Sequence, residues 1–160
     1  IISAANKTVK KAIEFQTIDL VNVAISKIKS LVPVQADKFS FQSNLSYYSS
    51  VINAEEFIQT IKSLPGNIEK DPKLIIELAN AIEKSYSSDV KLLSSTEKLL
   101  SQAMSNTSSL DHKFSLARIY ALNNKTDKAY KLLDETITEG KNQKADVTLI
   151  EQFKLKLGKS

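Results

Sequence analysis

The stretch that decides the fold is LARIYALNNKTDKAYKLLDETI, residues 116–137. Apolar residues recur at helical spacing on both sides of a polar centre. Leu116, Ala117 and Tyr120 come before it; Ala129, Leu132, Leu133 and Ile137 come after. Between them, Asn123-Asn124-Lys125 is turn chemistry, because Asn side chains bond their own backbone and tolerate left-handed angles. The stretch reads as two helices joined by a short link. So short a link sends the second helix back antiparallel to the first.

The same pattern extends towards both ends. Val9, Ala12, Ile13 and Phe15 share a helical face. Thr17 is placed to cap the next helix, Asp19 suits its first turn, and Leu20, Val21, Ala24, Ile25, Ile28 and Leu31 form its stripe before Pro33. Phe41, Leu45, Tyr48 and Ile52 lie at helical intervals, although Phe39 and Phe41 alternate with Ser. Asn53 with Glu56 forms a capping box for a helix bearing Phe57, Ile58, Ile61 and Leu64, stopped by Pro65-Gly66. Asp71 caps and Pro72 opens a helix bearing Leu74, Ile75, Leu78, Ala79 and Ile82. Val90, Leu93, Leu100, Ala103 and Met104 follow, with Leu92 and Leu99 widening the face. Ser108 with Asp111 suggests another capping box, Thr126 or Asp127 the next cap, and Gly140 a helix stop. Val147, Ile150, Phe153 and Leu157 mark a last helix. The reading is a single all-α domain over residues 1–160. It has antiparallel helix hairpins at about 3–32, 36–65, 71–105 and 109–140, and a capping helix at 145–157.

Composition agrees. Hydrophobic residues make up 42% of the 160, enough for a core. Three Gly and three Pro are too few for a sandwich, a barrel or a Gly-rich phosphate loop, which need many special backbone angles. The absence of Cys excludes disulfides, thiolate nucleophiles and Cys-bound zinc. Net charge is +4, but Arg118 is the only Arg, and Lys is interspersed with Asp and Glu. That describes a solvated surface, and nucleic acid is disfavoured as a partner. No apolar run reaches the ~18 residues of a membrane span. A start at Ile1 without Met is what a removed leader or a piece of a longer chain would give, so both cytoplasmic and exported locations stay open. Asn6, Asn44, Asn106 and Asn124 head Asn-x-Ser/Thr triplets, where this composition supplies about two by chance, so they lend secretion little support.

Chemistry finds no foothold. His112 is the sole His, with Leu116 where a second metal ligand would stand, and is expected as a surface residue near a helix start. Glu55-Glu56 and Asp134-Glu135 are helix neighbours that point ~100° apart. No Gly-rich phosphate cradle or serine-nucleophile motif occurs. No catalytic residue, metal ligand or cofactor is expected. Tyr47-Tyr48 is expected to be a half-buried aromatic pair.

The helix pairs repeat. Leu78-Ala79 with Ile82 returns 38 residues later as Leu116-Ala117 with Tyr120, and Leu99-Leu100 with Ala103 returns 33 residues later as Leu132-Leu133 with Thr136. Residues 110–142 resemble a tetratricopeptide repeat. That family favours a large residue followed by a small one, then an aromatic, a small and a large residue. Here these are Leu116, Ala117, Tyr120, Ala129 and Leu133. Thr136, Asn124 and the lack of a closing proline depart from the pattern. Residues 73–104 match more loosely, and the first 65 by pairing alone.

The resemblance implies a right-handed α-solenoid whose first helices line a concave surface. That surface would carry Lys73, Ile76, Glu77, Asn80 and Lys84 from one unit, and Phe114, Arg118 and Ala121 from the next. Arg118 beside Phe114 suits a partner carboxylate. The Lys and Asn set that clamps a chaperone's terminal carboxylate in some family members is not reproduced. The expected function is a non-catalytic protein–protein interaction or scaffolding module for a partner peptide or protein. Other readings remain open: an accessory helical domain of a larger multidomain enzyme or redox protein, a Lys-based binder of nucleic acid or another acidic surface, or an apolar ligand pocket behind Phe39 to Tyr48. In this scheme Tyr120→Ala costs several kcal/mol and Arg118→Ala almost nothing.

Overall fold

The computed structural model describes residues 1–63, 71–104 and 109–158. These form nine α-helices and one 3-10 turn, with no strand among the described residues. In chain order the helices are α1 (Ile2–Glu14), α2 (Ile18–Leu31), α3 (Ala36–Val51), α4 (Ala54–Lys62), α5 (Pro72–Ser85), α6 (Val90–Met104), α7 (Leu110–Leu122), α8 (Thr126–Asn142) and α9 (Thr148–Leu157). The 3-10 turn, Pro33–Gln35, separates α2 from α3. The all-α class read from the sequence is thus established. The expected stop at Pro65-Gly66 and cap at Ser108 lie outside the described residues.

Short acceptor side chains start several of these helices by taking up backbone N–H groups that have no partner in the first turn. Asn53 Oδ1 accepts from Glu56 N at 3.2 Å, Asp71 Oδ1 from Lys73 N at 3.2 Å and Ser109 Oγ from His112 N at 3.2 Å. Asp89 Oδ1 accepts from Leu92 N at 2.9 Å. Two expected caps fail. Thr17 stands at the start of α2, but its hydroxyl donates back to the Phe15 carbonyl at 3.1 Å. At α8 the cap position belongs to Lys125, so neither Thr126 nor Asp127 caps.

By contacts the chain divides into two compact units, Ile1–Gly66 with Lys84–Tyr86, and Asn67–Glu83 with Ser87–Ser160. In the first unit α1 packs on α2, both pack on α3, and α3 packs on α4. Ala5, Val9, Ala24, Ile28, Ala36 and Phe39 form one core cluster; Ala12, Val21 and Tyr47 form another. Phe39, Phe41, Ser43, Leu45 and Tyr47 are all buried. That alternation looks strand-like, but here it marks a helix covered on more than one side, by α1, α2 and α4. Tyr47 and Tyr48 meet edge-on at 5.3 Å, with Tyr47 buried and Tyr48 half-buried. Burial and the nearby Glu56 charge raise the Tyr48 phenol above its usual range. Tyr86 packs on Phe57 at 4.5 Å and donates to the Tyr48 carbonyl. The Phe39–Tyr48 side chains therefore help fill the core. The one cavity described nearby, about 330 Å³ between α1 and α3, is walled mainly by polar groups such as Asn6, Gln42 and Ser43. Ile52, expected on the stripe, is exposed at the left-handed end of α3, φ 52°.

In the second unit α6 packs on α7, α7 on α8 and α8 on α9. The α7–α8 turn is the Asn123-Asn124-Lys125 link, with Asn124 in the left-handed region at φ 56°. Leu116, Ala117, Ala129 and Leu133 are completely buried or nearly so, as their spacing predicts. Thr136 is also buried, its hydroxyl satisfied by the Leu132 carbonyl at 2.5 Å. Glu97 of α6 pins the turn, accepting from Asn123 Nδ2 at 2.7 Å and Lys125 Nζ at 2.7 and 2.8 Å. Burial by itself would raise this carboxyl. The bonds from Lys125 and Asn123 and the charges of Lys125 and Lys128 outweigh it and hold Glu97 below the usual 4.5.

Two expectations are corrected here. His112 is fully buried: one turn into α7 its position falls on the covered side, beside Ser115 and Leu116. Gly140 does not stop α8, which continues to Asn142. Its role is close approach. A Cβ at Gly140 would lie 2.3 Å from Val147 Cγ1 and 3.3 Å from Leu110 Cδ1.

Helix propensity favours Ala over Gly by about 1 kcal/mol. Overpacking costs about 1–3 kcal/mol, and a Val side chain swings aside poorly. Gly140→Ala is therefore expected to lower stability by about 1 kcal/mol or more in urea unfolding, with Val147→Ala in the same chain restoring most of it. A gain in stability from Gly140→Ala alone would show that this contact yields freely.

Candidate functional site

Three non-consecutive helices of the second unit, α5, α7 and α9, wall a groove of about 250 Å³. Asn80 and Glu83 come from α5, Phe114 and Arg118 from α7, and Leu149, Gln152, Phe153 and Lys156 from α9. On α5 and α7 these are the residues the buried stripes leave over. Leu78, Ala79 and Ile82 point into the unit, so Asn80 and Glu83, three apart, share the outer side. Leu116, Ala117 and Ile119 do the same on α7, turning Phe114 and Arg118, four apart, towards the groove.

Arg118 is the centre of the groove. Its side chain is only 12% exposed. Nη2 donates to Asn80 Oδ1 at 2.9 Å and pairs with Glu83 Oε2. The guanidinium lies over the Phe114 ring at 5.7 Å, and Phe114 meets Phe153 edge-on at 5.6 Å. Each contact suits a delocalised cation: two side-chain acceptors at one nitrogen and an aromatic ring beside it. Both polar bonds use Nη2, so Nε and Nη1 carry donors that no described residue takes. Leu149, 67% exposed, is the apolar lip on the α9 side.

Of the residues expected on a binding surface, Asn80, Phe114 and Arg118 come together here. Lys73, Ile76, Glu77 and Ala121 belong to the same unit but do not line the groove, and Lys84 clusters with the first unit. Glu83, Leu149, Gln152, Phe153 and Lys156 were not expected. Glu83 was within reach of the sequence, three residues after Asn80 on the same helical side. The α9 residues were not, because nothing in their spacing says that α9 borders α7 as well as packing on α8.

A wider hollow of about 750 Å³ lies along α8 and α9, with Tyr130, Ile137 and Leu155 among its walls. Its charges bridge the two helices, Lys141 Nζ to Glu151 Oε1 at 2.7 Å and Lys154 to Asp134. It offers an apolar floor flanked by these ion pairs. Among the described residues no group of three or more acidic or His side chains is placed to hold a metal ion, and no helix is long and apolar enough to cross a membrane.

The groove and helices define the class: an all-α chain with a small aromatic and cationic groove in its second unit. Comparison with protein-family models, curated proteins and solved structures gives no match.

The geometry revises the expected cost of removing Arg118, because the side chain ties α5 to α7. Hydrogen bonds to charged groups contribute about 1.5–3 kcal/mol. Glu83 is 42% exposed, so solvent screening reduces this. A double-mutant cycle of Arg118→Ala and Glu83→Ala is expected to give a coupling of about 0.5–1 kcal/mol at low salt, shrinking in 1 M salt. Zero coupling at low salt would mean the pair contributes nothing to the groove.

Proposed function

We propose that this chain is a non-catalytic docking module that holds a partner peptide or protein in the α5–α7–α9 groove. The observation that carries the reading is the setting of Arg118. A guanidinium fixed by Asn80, Glu83 and Phe114 keeps two donor positions open beside the exposed Leu149. A largely covered cation on an aromatic platform with an apolar lip is the composition of a protein-recognition hot spot, where Arg and aromatic residues carry most of the energy.

We extend the proposal to architecture. The α7–α8 pair is read as a tetratricopeptide-like hairpin, supported by the buried small residues Ala117 and Ala129 beside Leu116 and Leu133. Grooves in such arrays lie on the side lined by alternate helices, and α5, α7 and α9 alternate.

The test is selection from a displayed random peptide library on the immobilised full chain, with Leu149→Asp as counter-selector. Leu149 is exposed, so the substitution leaves the fold in place. Peptides that bind the native chain and lose about tenfold or more in affinity with Leu149→Asp, the scale of one interface contact, are the expected result. A library yielding only binders indifferent to Leu149→Asp, or none, would contradict the proposal.

A further inference from the structure

We infer that the outer face of α2, with the 3-10 turn after it, seats on an anionic membrane surface. This face belongs to the first unit and is independent of the groove. Helix α2 is apolar on two sides. Val21, Ala24 and Ile28 enter the core. On the other side Val23 is 48% exposed, Leu31 59% and, on the turn, Val34 96%. Val23, Lys27 and Leu31 follow at intervals of four, one stripe along the helix, and Val34 prolongs it past Pro33. At helical rise the stripe runs roughly 16 Å.

Charge decides what covers it. Lys27 stands within the stripe and Lys29 beside it, both exposed, and neither makes an ion pair among the described residues. Lys27 and Lys29 are the only charges between Asp19 and Asp37, which are exposed at the two ends of this segment. The remaining exposed side chains, such as Asn22, Ser26, Ser30 and Gln35, are small or neutral. Shape narrows the choice further. Val34 protrudes, and none of the cavities described is lined by Val23, Leu31 or Val34. A protein partner would need its own groove to accept such a ridge. A bilayer interface accepts single apolar side chains among its headgroups, while lysines keep their ammonium groups at headgroup level and draw on the negative surface potential. The seating is peripheral: a short stripe and two lysines give weak, reversible attachment that depends on anionic lipid.

The test is sedimentation of the full chain with vesicles of phosphatidylcholine alone and of phosphatidylcholine with phosphatidylserine. The chain is expected to partition onto the anionic vesicles only. Lys27→Glu with Lys29→Glu, and separately Leu31→Ser with Val34→Ser, are each expected to weaken partitioning at least about tenfold. All four positions are exposed, and circular dichroism checks that helicity is kept; Val34→Ser alone serves if a pair fails to fold. No partitioning onto anionic vesicles, or partitioning that these variants leave intact, would overturn the inference. So would binding to soluble polyglutamate as strong and as variant-sensitive as binding to vesicles, which would give the face to an acidic protein.

Discussion

None of these helices is long enough to stand alone in water. The longest described, α8, has 17 residues and α4 has nine. Isolated helices of this size are marginal, because nucleation is costly and each added residue gains little. Stability has to come from apolar stripes closing on one another. That requirement explains the short polar links, the capping side chains and the small residues where helices approach. Ala117 and Ala129 have no measurable exposure, and Gly140 gives Val147 a place that even a methyl group would occupy.

The groove follows from the same requirement. Helices α5 and α7 each commit one side to burial, and what remains faces outward. On α5 and α7 the leftover sides carry Asn80, Glu83, Phe114 and Arg118, which are mutually satisfying: acceptors for a cation, and a ring beneath it. Helix α9 adds Phe153 as a second ring. It is the least buried of the helices around this groove, with Ile150 its one fully covered residue and Leu149 and Leu155 left outside. Its ties to α8 include two exposed ion pairs, Lys141–Glu151 and Lys154–Asp134, beside the Val147 contact on Gly140. A wall of that kind is easier to displace than α5 or α7.

Much of this was legible in the sequence, for a simple reason. Spacing along a helix fixes which residues share a side, so the stripes of α5 and α8, Leu116-Ala117 of α7 and the turn at Asn123 to Lys125 could be read directly, while Tyr120, read on the same stripe, stays partly exposed. So could caps that depend on one local bond, as at Asn53 and Asp71. Features decided by a distant neighbour were not legible. His112 is polar and near a helix start, yet its side of α7 is covered. Gly140 looks like a terminator until Val147 is seen against it. Thr17 stands where a cap is expected, yet its hydroxyl donates to the Phe15 carbonyl. Of the groove, Asn80, Phe114 and Arg118 were readable as outward residues, but Leu149 and Phe153 depend on where α9 lies.

Native-state hydrogen exchange on the full chain tests most directly whether mutual burial holds the helices. If it does, amides of α7 and α8 open together, as the slowest set of the second unit, and those of α9 exchange about tenfold faster or more. Opening of α7 independently of α8, or protection in α9 equal to theirs, would contradict the account.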